Sequence, residues 1–236
     1  MNSVAAQAHT AEDKRLSVTL FILTFSTGLI DAVSFVGLGK VFTANMTGNV
    51  VFMAFAFAGV PGLSIWRSVA SLAAFMVGAV IGGRINHIYE DRGRRRWVNT
   101  TLIAETSLLT IATVAAVLAG SVGTDIPSRV AYGIIVLTAM AMGLRNAVVR
   151  RLAVPDLTTT VLTLTVTGLA AESSLAGGSN KRWMVRVMAI TTMFLGAFVG
   201  AVLLRYGLAV PLALSAMLPF GALLFVAMTV GDAVSD

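Results

Sequence analysis

The chain has 236 residues, of which 57% are hydrophobic and only 12% carry a charge. Soluble domains have about 25% charged residues, so this composition, with a mean hydropathy of +0.87, excludes an ordinary soluble protein. The net charge of +6 does not indicate nucleic-acid binding, because the basic residues flank hydrophobic segments and are better explained as topology signals. There is no cysteine, which excludes disulfides and thiol chemistry.

Apolar segments follow one another along almost the whole chain. They are preceded by a polar tail, residues 1–15, and followed by a short C-terminal tail, residues 231–236. A membrane span needs about 20 apolar residues. The candidate segments are 16–39, 41–59, 66–83, 97–119, 130–149, 157–171, 184–204 and 208–230. The pattern predicts an all-α integral membrane fold with one membrane domain, residues 16–230.

The positions of Lys and Arg favour six crossings over eight. These residues accumulate on the cytoplasmic side of a membrane protein. Eight full crossings divide the 17 basic residues 10 to 7. If segments 41–59 and 157–171 each enter and leave by the same side, the division becomes 13 cytoplasmic to 4 outside. We therefore predict about six transmembrane helices and two re-entrant or broken segments, with both termini in the cytoplasm.

The two segments singled out by charge are also unusually polar. They contain "KVFTANMTGNVV" (40–51) and "DLTTTVLTLTVTG" (156–168). Polar groups and non-helical backbone at membrane depth are tolerated where protein or a water-filled cavity surrounds them. The second stretch alternates Thr with Leu and Val, which is strand-like periodicity. Each segment is predicted to be a short extended piece that leads into a half-helix.

An internal duplication relates the two halves, about 16–119 and about 130–230. The offset between matched positions stays at 115–118 residues. The matches are Gly28 with Gly143, Asp31 with Asn146, Thr43 with Thr159, Thr47 with Thr163, Asn49 with Thr165, Gly78 with Gly196 and Gly82 with Gly200. Three crossings per half place the second copy in the membrane upside down, so we predict an inverted 3+3 repeat, as in many secondary transporters.

The stretch "GLIDAVSFVGLGKVFTANMTGNVV" (28–51) resembles the signature of the YoaK family, which consists of uncharacterised bacterial multi-pass membrane proteins. The second-half stretch "GLRNAVVRRLAVPDLTTTVLT" (143–163) is similar to the other recurring block of that family. The resemblance covers nearly the whole chain. It implies a protein of the bacterial cytoplasmic (inner) membrane and implies no particular activity.

Asp31 lies within the first predicted helix. An ionisable group there costs about 2.5–3.5 kcal/mol on insertion scales, so it should face the protein interior or a cavity. One interpretation is a site for proton or cation coupling, or a clamp for a cationic group of a substrate. The other is a structural acceptor for N–H groups of the adjacent re-entrant segment. Its partner in the repeat is Asn146, which is neutral.

Further polar residues could line a cavity between the two segments. Hydroxyl and amide groups there could bind a substrate or an ion, while the N-terminus of a half-helix favours anions. Alternatively, they only cap the half-helices and hold neighbouring helices together. These residues are Thr43, Asn45, Thr47, Asn49, Thr159, Thr163 and Thr165.

Two charged residues and two glycine motifs complete the candidates. Glu105 could pair with an interior cation such as Arg145 or accept a proton, but for Arg145 we expect snorkelling to the interface. The motifs at Gly78 and Gly82, and at Gly196 and Gly200, indicate close helix packing, within one chain or in a homodimer.

The sequence offers no enzyme signature and no metal or cofactor motif. Two functions fit it. The first is a small secondary-transporter-like protein in the lipid bilayer, which binds a small polar solute or ion, coupled to H⁺ or Na⁺, between the duplicated segments. The alternative is a non-transporting membrane scaffold or accessory subunit in which the polar segments are structural.

Overall fold

The computed structural model describes residues 2–89, 93–120, 127–152 and 162–228. Within these ranges the chain is helical apart from its connections. The α-helices are α1 (Asn2–Ala32), α2 (Met46–Phe57), α3 (Ile65–Ile88), α4 (Arg94–Leu118), α5 (Ser128–Leu152), α6 (Leu162–Ala171), α7 (Trp183–Leu203) and α8 (Ala209–Met228). A π-helical turn, Val33–Gly37, extends α1, and the backbone of the predicted N-terminal tail is continuous with this helix.

Six helices in the described ranges are long and apolar enough to span a membrane, as predicted. These spans are Arg15–Gly37, Ile65–Ile88, Arg96–Leu118, Ser128–Leu152, Trp183–Tyr206 and Ala209–Val226. Their outward faces expose large apolar side chains such as Trp66, Val80 and Phe194. An apolar exterior of this extent suits lipid and would be a liability in water. The chain is an α-helical, multi-pass membrane protein.

The two remaining α-helices are too short to cross. α2 has 12 residues and α6 has 10, so they measure about 18 Å and 15 Å against a hydrocarbon core of about 30 Å. An irregular stretch, residues 38–45, leads into α2, as the sequence predicted. In the second segment, residues 162–168 are helical despite their alternating pattern, which agrees with the predicted half-helix. Its remaining residues lie outside the described ranges.

Helices α1 and α5 form the centre of the fold and run in opposite directions. The buried share is 67% for the α1 span and 61% for the α5 span, compared with 22–33% for each of the other four spans. Leu20 near the start of the α1 span packs with Val149 near the end of α5. Leu29, further along α1, packs with Ile134 near the start of α5. The residue numbers therefore rise along one helix as they fall along the other.

Glycines bring α7 against α1 with backbones in contact. A Cβ on Gly196 would overlap the carbonyl oxygen of Phe25, and one on Gly200 would lie 2.9 Å from that of Leu29. From the first contact to the second, the residue number rises by four on α7 and by four on α1, so the two helices run parallel. Gly28 on α1 meets the α7 backbone in the same way. Only a residue without a side chain permits this approach.

The same contacts recur between α3 and α5, which also run parallel. Gly78 lies against the carbonyl of Met140, and Gly82 against that of Leu144, while Gly143 on α5 meets the α3 backbone at Phe75. Each contact is displaced by 115–118 residues from its counterpart on α1 and α7. The remaining helix contacts also match between the two halves. α2 packs on α3 as α6 packs on α7, and α4 packs on α5 as α8 packs on α1. α4 and α8, the last helices of the two halves, pack on each other. These glycines therefore pack within one chain, and a dimer interface is not needed to explain them.

Replacing Gly78 with alanine should destabilise the protein, because the new methyl group meets a backbone carbonyl that cannot rotate away. Overpacking of this kind costs about 1–3 kcal/mol. A Cβ on Gly83, on the same helix, would have no other atom within 4 Å, so Gly83→Ala is the matched control. It should stabilise α3 by about 0.5–1 kcal/mol. Thermal unfolding in detergent measures the stability of both variants. Equal unfolding temperatures for Gly78→Ala and Gly83→Ala would contradict this packing.

A candidate binding cavity at the ends of two short helices

A cavity of about 390 Å³ lies where α2 and α6 begin. Its walls come from α1, from the residues around the start of α2, from the first turn of α6 and from α7. The lining residues are Thr27, Asp31, Ala44, Asn45, Thr47, Gly48, Leu162, Thr163 and Met193. The two polar segments identified in the sequence therefore meet at one place, beside the carboxylate that the sequence indicated.

The cavity lies at the middle of the apolar slab. Thr27 lies 12 residues after the start and 10 before the end of the span Arg15–Gly37. At 1.5 Å per residue, it is about 15 Å from the nearer end of a helix long enough to cross the hydrocarbon core. Asp31 is one turn further along on the same helix face, because residues four apart are neighbours on an α-helix.

Asp31 is buried but only partly satisfied. Its side chain is 7% exposed, and the carboxylate accepts a backbone hydrogen bond from Ala44. Its Oδ1 atom has no hydrogen-bond partner within the part of the chain that the structure describes. A buried carboxylate oxygen without a partner is costly, and such groups usually receive one from water or a ligand. The structural interpretation of Asp31 thus accounts for the contact with Ala44 and not for the position of the residue beside the cavity.

The first turn of α2 faces the same space. Its N-cap residue, Asn45, makes no side-chain capping hydrogen bond, and Asn45 and Thr47 are both exposed to the cavity. The first N–H groups of any helix have no partner within the helix, and the helix dipole adds about half a positive charge at this end. Leu162 and Thr163, the first described residues of α6, line the same cavity.

The irregular stretch before α2 is held in place by Asn49. Its amide accepts a hydrogen bond from the Phe42 N–H at 2.9 Å and donates to the Phe42 carbonyl at 2.5 Å. Ser71 on α3 donates to the same carbonyl at 2.7 Å. Phe42 also stacks on Phe35 and Phe52, with ring centroids 5.1 and 5.6 Å apart. Asn49 is therefore a structural residue that replaces the missing helical hydrogen bonds, and it does not line the cavity.

The expectation that Arg145 snorkels to the interface is wrong. Arg145 on α5 is 1% exposed and pairs with Glu105 on α4, to which its Nε donates at 3.0 Å. The guanidinium also donates to the Leu23 carbonyl at 2.8 Å, to Ser26 Oγ at 3.0 Å and to Thr27 Oγ1 at 2.9 Å. A buried Arg is tolerated because its donors reach a carboxylate and three groups of α1.

Thr27 connects this ion pair with the cavity. Its Oγ1 accepts the Arg145 hydrogen bond, and the residue also lines the cavity beside Asp31. Its hydroxyl donates to the Leu23 carbonyl at 2.9 Å, so its proton is directed away from the cavity. Thr27 was not among the predicted site residues, although its spacing of four residues from Asp31 was a signal that it shares the helix face.

The structure brings together four of the predicted site residues and leaves others elsewhere. Asp31, Asn45, Thr47 and Thr163 line the cavity. Thr159 lies outside the described residues. The predicted residues that do not line the cavity are Thr43 and Thr165, which are buried, Asn49, and Asn146, which donates to the Met142 carbonyl at 2.8 Å. Of the two repeat-related positions, Asp31 and Asn146, only Asp31 faces this space.

The helices and their apolar exterior define a multi-pass membrane protein built from two halves with matching contacts. Residues 19–229 match the family described as "Protein of unknown function (DUF1275)", and the chain belongs to this family. It is also similar to the UPF0700 transmembrane protein YoaK of Bacillus subtilis (strain 168), with 26% identity over 155 residues. That match covers 66% of each chain, just under two thirds. No solved structure matches. The predicted membership of a YoaK-like family is confirmed.

Removing Glu105 alone should be strongly destabilising, because it leaves the Arg145 charge buried without its counter-ion. Breaking a buried pair in this way costs about 3–5 kcal/mol. The double variant Glu105→Leu with Arg145→Met removes both charges and should recover much of the loss that Glu105→Leu causes. Unfolding in SDS titrations gives both free energies, and equal losses for the single and double variants would contradict the pairing.

Proposed function

We propose that this protein is a small secondary-transporter-like carrier that binds a small polar solute or ion between its two polar segments. The observation that carries the proposal is the cavity at mid-membrane depth, which is lined by Asp31 and by the first turns of α2 and α6. A cavity of about 390 Å³ is at the small end of the usual range for ligand sites, about 300–1,000 Å³. Ionisable residues at such depth most often serve ion or substrate pathways.

In this proposal both polar segments are re-entrant. α1 and α5 are antiparallel, and α3 is parallel to α5, so α3 is antiparallel to α1. The chain between two antiparallel neighbours begins and ends on the same side of the membrane. We therefore propose that residues 38–64 enter, reach the depth of Thr27 and return. By the same reasoning α7 is antiparallel to α5, so the connection between them also begins and ends on one side.

The proposal includes an inverted 3+3 repeat, which the same directions support. α5, the first helix of the second half, runs opposite to α1, while the paired contacts of the two halves match. Transporters of this design bind substrate near the midplane, where broken helices of the two repeats meet. We further propose that the protein resides in the inner membrane with both termini in the cytoplasm, and that H⁺ or Na⁺ coupling acts at Asp31.

The alternative is a scaffold or accessory subunit in which the polar segments are purely structural. The bonding of Asn49 to Phe42 favours it for that residue. It assigns no role to the cavity that Asp31, Thr47 and Thr163 line together.

Labelling of single cysteines tests whether the cavity contains water. The chain has no cysteine of its own, so Thr47→Cys and Thr163→Cys each introduce one reactive thiol. Thiols react with maleimides as thiolates, which form in water and not in hydrocarbon. Both variants should react with a membrane-impermeant maleimide, and from the same side or sides, because both residues line one cavity.

Val80→Cys is the matched control, because Val80 is exposed on the outward face of α3 and should remain unlabelled in lipid. Labelling is compared in intact cells and in inverted vesicles. If Thr47→Cys and Thr163→Cys stay as unreactive as the control from both sides, the cavity is dry and the scaffold alternative is favoured.

A further inference from the structure

The connection between α6 and α7, residues 172–182, is held together by its own hydrogen bonds. The Asn180 N–H donates to the Glu172 carbonyl at 3.1 Å, and the Asn180 side-chain oxygen accepts from the Ser174 N–H at 3.0 Å. The Asn180 carbonyl in turn accepts from the Trp183 N–H at 3.3 Å. Asn180 therefore joins the beginning of the connection to the beginning of α7.

This connection holds an apolar side chain outward beside an open hollow. Leu175 is 98% exposed. A single exposed leucine needs no explanation, but this one borders a hollow of about 440 Å³ that the half-exposed ring of Trp183 also lines. The hollow shares no lining residue with the cavity beside Asp31. Its lining residues are Leu169, Ala170, Ser173, Leu175, Asn180 and Trp183.

The hollow lies where the apolar helices meet water, because the membrane span of α7 begins at Trp183. Tryptophan is enriched at this level of membrane proteins. Val166 lies one turn before Ala170 on the same face of α6, and Val187 one turn after Trp183 on the same face of α7. Both valines are exposed, so the hollow continues into helix faces that lipid covers.

Two basic residues lie beside the hollow. Lys181 and Arg182 are exposed and stand in the chain between Asn180 and Trp183, which both line it. At a membrane surface, long basic side chains place their charged ends at the level of the lipid headgroups. Anionic headgroups attract such residues, and the attraction is worth a several-fold gain in binding for each Lys or Arg.

We infer that the connection binds one anionic phospholipid, with an acyl chain in the hollow and the phosphate beside Lys181 and Arg182. The acyl chain would cover the apolar surface of Leu175 and Trp183, and this burial favours binding. A lipid is favoured over a protein segment because the hollow continues into faces that lipid already covers. The inference does not depend on the carrier function.

A lipid bound here would hold α6 against α7. Arg186 on α7 is buried and donates to Glu172 Oε2 at 2.8 Å and to the Gly168 carbonyl, so it already joins α6 and the connection to α7. A ligand that binds only the folded arrangement stabilises it by mass action. The protein should therefore unfold at a higher temperature when the anionic lipid is present.

Fluorescence quenching by brominated lipids tests for a lipid at Trp183. The chain has three tryptophans, so the double variant Trp66→Phe with Trp97→Phe leaves Trp183 alone. The full-length chain is placed in phosphatidylcholine vesicles with increasing fractions of brominated phosphatidylglycerol or brominated phosphatidylcholine. Half-maximal quenching should need at least about tenfold less of the anionic lipid, because only that lipid gains the attraction of two basic residues.

Replacing the two basic residues should remove this preference. Lys181→Gln with Arg182→Gln keeps two polar side chains and should raise the required fraction of phosphatidylglycerol about tenfold or more. The matched control is Arg84→Gln with Arg150→Gln, which removes the same charge near the ends of α3 and α5, on the membrane side where α7 begins. It should change the fraction about twofold at most, because screening weakens distant charges.

Two further measurements address the hollow and the native chain. Leu175→Ser leaves the charge unchanged and should weaken binding of both lipids about threefold or more, because it removes apolar surface. Trp97 is buried, so the lipids are also compared on the chain with all its tryptophans, in detergent. Phosphatidylglycerol should raise the unfolding temperature more than phosphatidylcholine, and the difference should vanish in Lys181→Gln with Arg182→Gln.

Three results would overturn the inference. Equal quenching by the two brominated lipids would exclude recognition of the anionic headgroup. An equal loss in the two double-glutamine variants would mean that the whole basic face attracts the lipid and that this connection does not bind it. Absence of quenching by both lipids would mean that protein or water covers the hollow. None of these results bears on the cavity beside Asp31.

Discussion

The close contact of backbones at glycine positions determines how this protein is assembled. Gly196 and Gly200 allow α7 to lie directly on α1, and Gly78 and Gly82 allow α3 to lie on α5. α2 packs on α3 and α6 packs on α7. Each short helix is therefore held by a long helix that packs against the other half of the chain. A larger residue at these glycines would move the helices apart and displace the starts of both short helices from the cavity.

Polar groups inside the membrane are accommodated here in two different ways. Around Phe42, the side chains of Asn49 and Ser71 supply the hydrogen bonds that a continuous helix would have made. Arg145 is satisfied by Glu105 and by groups of α1, which fixes α4, α5 and α1 together. The cavity differs from both, because it is open space lined by Asp31 and by the start of α2, whose N-cap residue makes no side-chain capping hydrogen bond.

Much of the architecture could be predicted from the sequence, because lipid constrains it strongly. Apolar length indicated eight segments, the positions of Lys and Arg reduced the spans to six, and the Thr and Asn content marked the two short helices. Side-chain pairing was less predictable. Arg145 lies seven residues before the end of α5, within snorkelling distance, and only the three-dimensional packing shows that Glu105 and α1 satisfy it. Likewise, Asn45 and Asn49 are equivalent in the sequence, but one faces the cavity and the other bonds to the backbone.

The first residues of α2 and α6 line one cavity at the middle of the apolar helices. Cross-linking of the double variant Thr47→Cys with Thr163→Cys tests it most directly, since the chain has no other thiol. In native membranes, a short bifunctional thiol reagent should join the two cysteines within one chain, and a pair that combines Thr47→Cys with the lipid-facing Val80→Cys should not be joined. Modification of both Thr47→Cys and Thr163→Cys without any cross-link would contradict the account, because the two short helices would then open onto separate spaces.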